Sequence, residues 1–86
     1  LEIRNLVELY EALEVGGFDR LMLDNFELPI LTEAVAIINN RYETEASGGI
    51  KLANVRKVAD TGVDFISVGA LTHSAGSLDM SLKIML

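Results

Sequence analysis

Short runs with β-like patterning alternate with longer stretches of helical periodicity along the whole chain, which is the signature of βα units around a parallel sheet. Four such units fit. Leu1 to Arg4 reads as the first strand. The helix after it opens on an Asn5 N-cap with Glu8 in a capping box and ends at Gly16. Arg20 to Asp24 is the second strand, and Pro29 suits the first turn of a helix whose stripe is Leu31, Val35 and Ile38. Arg41 to Ser47 makes a third strand; a helix then runs through Asn54 to Thr61, with Gly62 able to close it at positive φ. Asp64 to Gly69 is the fourth strand, and Ser77 to Met85 is expected to be the last helix. The fold class expected is α/β, a parallel (β/α) barrel fragment of about four βα units.

One residue from each unit marks a common level. Glu2, Asp24, Ser47 and Gly69 follow one another at intervals of 22, 23 and 22 residues, one βα unit apart. Parallel strands present their carboxyl ends on one side, so the last three are expected at a single rim with Glu2 slightly deeper. Residues two apart in a strand share a face. Leu1, Ile3, Leu21, Leu23, Ile66 and Val68 make one face apolar, fit to pack under helices. The opposite face takes Glu2, Arg4, Met22, Asp24, Glu43, Glu45, Ser47, Ser67 and Gly69. A doubly wound sheet buries apolar residues on both faces, whereas a barrel interior near a catalytic mouth can hold polar ones. The polar face is therefore where function is sought.

Composition narrows the function classes. The chain has 86 residues, half of them hydrophobic, enough for one core and no second domain. Thirteen acidic against seven basic residues give a net charge of −6, which repels a nucleic-acid backbone. No cysteine is present, so disulfides and thiolate zinc sites are excluded. No apolar run is long enough to span a bilayer and no signal-peptide pattern opens the chain. A cytoplasmic protein without membrane or nucleic-acid partners is expected. The start at Leu1, directly in a strand, suggests part of a longer polypeptide.

The rim residues carry the candidate chemistry. Ser47-Gly48-Gly49 and Gly69-Ala70 stand after the third and fourth strands, where glycine lets backbone N–H groups approach a ligand oxygen. In (β/α) barrels, loops after late strands form the usual phosphate seat. The plainer reading is a pair of tight turns. Glu2 and Asp24, on neighbouring strands, suit sugar hydroxyls or Mg²⁺, with an ion pair between Glu2 and Arg4 as the alternative. Glu43 and Glu45 share that face, and Glu43 can sit at the barrel floor beside a basic residue. His73 can hold a phosphate or pyrophosphate oxygen, or merely be solvated.

The ordered set LEIRNLVEL, MLDNF, EASGGI, TGVDFISVGALTHS and LDMSLKI resembles the C-terminal part of the quinolinate phosphoribosyltransferases, across nearly the whole chain. The resemblance implies a type II phosphoribosyltransferase that makes nicotinate mononucleotide, pyrophosphate and carbon dioxide from quinolinate and phosphoribosyl pyrophosphate, with Mg²⁺, in NAD biosynthesis. It implies that Glu2 and Asp24 lie near ribose and metal, that Ser47, Gly48 and Gly49 form the phosphate turn, and that Gly69 and His73 add donor contacts. It implies a homodimer or higher homo-oligomer. The family's N-terminal sandwich domain, its early barrel strands and its basic acceptor cluster have no counterpart here, and Arg20, Arg56 and Lys57 read as surface or helix positions. The isolated chain is expected to be inactive. The alternatives are a molybdenum-associated pyrophosphorylase-like protein with another acceptor, or a non-catalytic half-barrel.

Overall fold

The computed structural model describes residues 1–51, 53–72 and 76–83. Strands β1 (Glu2–Ile3), β2 (Arg20–Asp24), β3 (Glu43–Ser47) and β4 (Phe65–Thr72) are parallel and lie side by side in chain order. Helices α1 (Leu6–Val15), α2 (Leu28–Ile38) and α3 (Val55–Ala59) connect them. Right-handed crossovers that always step the same way put every helix on one face of the sheet, the winding of a (β/α) barrel. Burial agrees: Ile3, Leu21, Leu23, Ala46, Ile66 and Val68 from the strands pack with Leu9, Leu31, Ala34, Ile38 and Val58 from the helices. Leu1, expected on that face, is exposed and contributes its carbonyl to the Met22 N–H.

Local signals set most boundaries. The Asn5 side chain accepts from the Glu8 N–H at 2.8 Å and caps α1. Glu8 returns the contact to the Arg4 N–H at 2.7 Å, one residue earlier than the usual reciprocal arm. Pro29 occupies the first turn of α2. That helix ends in two left-handed residues, Asn39 and Asn40, and the Arg41 guanidinium donates to the carbonyls of Ile37 and Ile38. Arg41 is thereby a helix terminator, and β3 starts at Glu43 rather than at Arg41 as expected. Thr44 is a buried polar residue at the start of β3. Its hydroxyl and N–H both donate to the Asp64 carboxylate, which ties the start of β3 to the entry of β4.

The expected final helix is a strand. β5 (Gly76–Lys83) folds back antiparallel on β4, from Thr72↔Gly76 to Phe65↔Lys83. The residues of Ser77-Leu-Asp-Met-Ser-Leu-Lys83 alternate polar and apolar with period two, and the register sets Leu78, Met80 and Leu82 opposite Ala70, Val68 and Ile66. Strand β4 also continues past Gly69 to Thr72, because the β5 ladder supplies hydrogen-bond partners where β3 has ended. One edge of the parallel sheet is thus covered. The other, β1, is followed by a shallow recess of about 270 Å³ lined by Leu1, Ile3, Ala12, Val15 and Phe18 among others. No helix among the described residues is long and apolar enough to cross a membrane.

Leu23 is fully buried between the sheet and the helices. In the full-length protein, Leu23→Ala is expected to lower stability by about 2–5 kcal/mol, read as a shift in the denaturant midpoint. An unchanged midpoint would place Leu23 outside the core.

Candidate active site

The polar face is built as strand parity requires. Parallel register pairs Glu2 with Met22, Met22 with Glu45, Arg20 with Glu43, and Asp24 with Ser47. Asp24 and Ser47 end their strands together at the carboxyl rim, and Glu2 lies one pleat repeat below. The Ser47 hydroxyl donates to Asp24 Oδ1 at 3.2 Å. Beside it, the Asn25 N–H donates to the Ser47 carbonyl at 2.8 Å, so two neighbouring strand ends are tied by main chain as well as side chain. Asn25 itself is left-handed, with φ of 59°, a conformation that asparagine tolerates better than most residues.

Gly48 follows this junction with φ of +88°. A Cβ there would sit 2.8 Å from both the Asn25 nitrogen and Asp24 Oδ1, so the turn closes onto the second strand only because a side chain is missing. Gly49, at φ +66°, faces open space. The first glycine is required by packing against Asp24 and Asn25. The second is required by backbone conformation alone, and leaves the main chain accessible from outside. Together the two turn residues frame a place beside a carboxylate and a hydroxyl where a ligand oxygen can reach backbone donors.

Below the rim lies a second polar layer with a buried carboxylate at its centre. Glu45 is only 5% exposed; its carboxylate accepts from Arg20 Nη1 at 3.0 Å and from the Ser67 hydroxyl. Arg20 also reaches Glu43 at 3.8 Å, and its guanidinium lies 3.6 Å from the centroid of the Phe65 ring. Arg20 is therefore committed to partners on the polar face, while its side chain stays 39% exposed. Standing at the amino end of β2 on the polar face, it neutralises a buried carboxylate. The same contacts divide the two glutamates: Glu45 is enclosed by partners, whereas Glu43 is exposed and only loosely paired. Nothing in spacing alone distinguished Arg20 from a surface arginine. Its parity with Met22 and Asp24 was the available signal.

The remaining candidates separate. Glu2 forms the alternative ion pair with Arg4, at 3.7 Å and largely in solvent. Gly69 and Ala70 are inside β4, paired with Asp79 and Leu78, instead of forming a turn after it. Register sets Glu45 beside Phe65 and Ala46 beside Ile66, so Gly69 lies further along its strand than the end of β3. His73 lies outside the described residues. A groove of about 370 Å³ opens between the loops after β1 and β2, walled by Arg4, Asn5, Leu6, Asn25, Phe26 and Ile30 among others.

As a test of metal chemistry, no group of three or more His, Cys, Asp or Glu side chains converges among the described residues. Glu2 and Asp24 offer two carboxylates on one face. That set fits Mg²⁺, which is commonly held by one or two carboxylates together with substrate phosphates, and does not form a complete protein cage.

Comparison with known proteins agrees with this geometry. A family model described as the C-terminal domain of quinolinate phosphoribosyl transferase matches residues 1–83. A quinolinate phosphoribosyltransferase [decarboxylating] of Nicotiana tabacum is 46% identical over 98 aligned residues, covering 98% of this chain and 28% of that protein. A probable nicotinate-nucleotide pyrophosphorylase [carboxylating] of Methanocaldococcus jannaschii is 48% identical over 92 residues, covering 99% of the chain and 32% of its relative. The crystal structure of nicotinate-nucleotide pyrophosphorylase from Ehrlichia chaffeensis superposes with a TM-score of 0.75 at 37% identity, over 91% of this chain and 28% of that one. The chain thus spans under a third of the length of these relatives, and it belongs to the quinolinate phosphoribosyl transferase family, matching its C-terminal domain.

Proposed function

We propose that this chain supplies the donor side of the active site in an enzyme that converts quinolinate and phosphoribosyl pyrophosphate to nicotinate mononucleotide, pyrophosphate and carbon dioxide for NAD biosynthesis. The observation that carries the reading is the joint at the rim: Asp24, Ser47 and the Gly48 turn, locked together by two cross-strand hydrogen bonds. It combines an anion seat with a carboxylate at the distance of a neighbouring strand, as a phosphorylated sugar requires.

In this mechanism the Gly48-Gly49 turn holds the 5′-phosphate through backbone N–H groups. Asp24, with Glu2 below it, takes the ribose hydroxyls and stabilises positive charge as it develops at the anomeric carbon. The quinolinate ring nitrogen forms the new bond to that carbon, the bond to pyrophosphate breaks, and pyrophosphate leaves with the electron pair. Loss of the ring 2-carboxylate as carbon dioxide leaves a carbanion, which takes a proton to give the nicotinate ring. Mg²⁺, held by Glu2 and Asp24 with the donor's phosphates, would neutralise charge on the departing pyrophosphate. Ser47 holds Asp24 in place and keeps its second oxygen free for ligand. Gly69, Ala70 and His73 complete the donor contacts in this reading.

The acceptor side must come from elsewhere. Quinolinate carries two carboxylates, and no cluster of basic residues gathers on this polar face among the described residues: Arg20 serves Glu45 and Glu43, Arg41 caps a helix, and Arg4 stands singly beside Glu2. The uncovered β1 edge suits further barrel strands and helices from the same enzyme. A sandwich domain and a homodimeric or larger assembly belong to this proposal, as does a cytoplasmic setting, for which a cysteine-free sequence is suited.

The 86-residue chain alone is expected to form no nicotinate mononucleotide from the two substrates, and turnover by it would overturn the division into donor and acceptor sides. In the full-length enzyme, Asp24→Asn is expected to lower kcat by about a hundredfold or more with the fold intact. Retention of wild-type kcat would remove Asp24 from the chemistry. Gly48→Ala, which meets both strain and a clash, is expected to raise the donor KM by at least about tenfold. Gly49→Ala, which meets strain alone, is expected to change it less; steady-state kinetics with varied phosphoribosyl pyrophosphate would reveal the reverse order if the turn is used otherwise.

A further inference from the structure

We propose that Arg4 is a substrate-binding residue that receives the pyrophosphate end of the donor, an inference that rests on phosphoribosyl pyrophosphate being the ligand of this rim. Register places it there. Glu2 pairs with Met22 and Ile3 with Leu23, and extending that register by one residue past the end of β1 sets Arg4 level with Asp24, which itself pairs with Ser47. Guanidinium, carboxylate and hydroxyl thus form a row across three strands, and the contact between Arg4 and Glu2 keeps the guanidinium on the polar side.

The row has the charge pattern of the donor. Two strand spacings, about 10 Å, separate the Arg4 strand from the Ser47 turn. Phosphoribosyl pyrophosphate has an anion at each end of a ribose, so its 5′-phosphate on the glycine turn and its ribose over Asp24 direct the pyrophosphate toward Arg4. The guanidinium is available for it. Its side chain is 70% exposed, its pair with Glu2 is long, and among the described residues it makes no side-chain hydrogen bond. An exposed pair of this kind restrains the guanidinium weakly. The backbone beneath it is fixed, since the Arg4 N–H donates to Glu8 and Asn5 caps α1.

Other basic groups are placed differently. Arg20 is bound to Glu45 and Phe65 at the opposite end of β2, and Arg41 binds carbonyls at the end of α2. Lys51 follows the glycine turn, on the 5′-phosphate side of the row. When Glu2 engages ribose or metal, its hold on Arg4 is relieved, and the five-donor fork suits the vicinal oxygens of a pyrophosphate.

The test is steady-state kinetics of the full-length enzyme with Arg4→Ala and Arg4→Lys. Loss of the guanidinium is expected to raise the KM for phosphoribosyl pyrophosphate about tenfold or more, with the quinolinate KM within twofold of wild type and partial recovery in Arg4→Lys. A donor KM unchanged within twofold, or a rise confined to quinolinate, would overturn the assignment. A wild-type enzyme that does not turn over quinolinate defeats the parent reading instead. Calorimetry with inorganic pyrophosphate then judges Arg4: about tenfold weaker binding in Arg4→Ala upholds it, and equal binding rejects it.

Discussion

The site depends on the register between β2 and β3. Asp24 and Ser47 can share a hydrogen bond, and Gly48 can close against Asn25, only while the two strands end level with one another. Side chains in a strand alternate with period two, so a slip of one residue would turn Asp24 or Ser47 into the helical layer and bring a leucine or alanine to the polar face. Apolar burial prevents that slip. Leu21, Leu23 and Ala46 occupy the helix side with essentially no exposure, and exposing them would remove the main driving force that holds the strands.

Beneath the rim, polar residues are tolerated because they satisfy one another. A buried carboxylate without partners is costly, but Glu45 receives Arg20 and Ser67, and Arg20 in turn rests on the ring of Phe65. Contacts therefore run across β2, β3 and β4 on the face away from the helices. They give the sheet a second set of cross-strand ties, directional where the apolar layer is not. The rim is carried by strands tied on both faces, which suits a site whose parts must keep their spacing while a ligand binds.

The rim is also asymmetric in charge. The glycine turn presents backbone donors at one end, Arg4 presents an exposed guanidinium at the other, and carboxylates lie between them. A chain with a strong acidic excess can hold a polyanion only if its few positive elements are local and directed. In the proposed reading, backbone N–H groups at the glycine turn and the Arg4 guanidinium after β1 meet that requirement.

Much of this was legible in the residues alone. Four parallel strands with three helices between them, the apolar and polar faces, the rim level shared by Asp24 and Ser47, and the glycine turn all follow from local periodicity and from recurrence once per unit. The last element was legible too, as polar and apolar residues alternate through Ser77–Lys83, but helix expectation after the fourth strand prevailed over that pattern. Other features depended on contacts distant in sequence. Arg20 is a floor residue because Glu45 and Phe65 come to it from two other strands, and Gly69 lies within a strand because β5 returns to pair with it. Sequence periodicity assigns a residue to a face of its own segment; which neighbours share that face, and where a strand may end, is decided by pairing between segments, because backbone hydrogen bonds and buried charges are satisfied only in the assembled sheet.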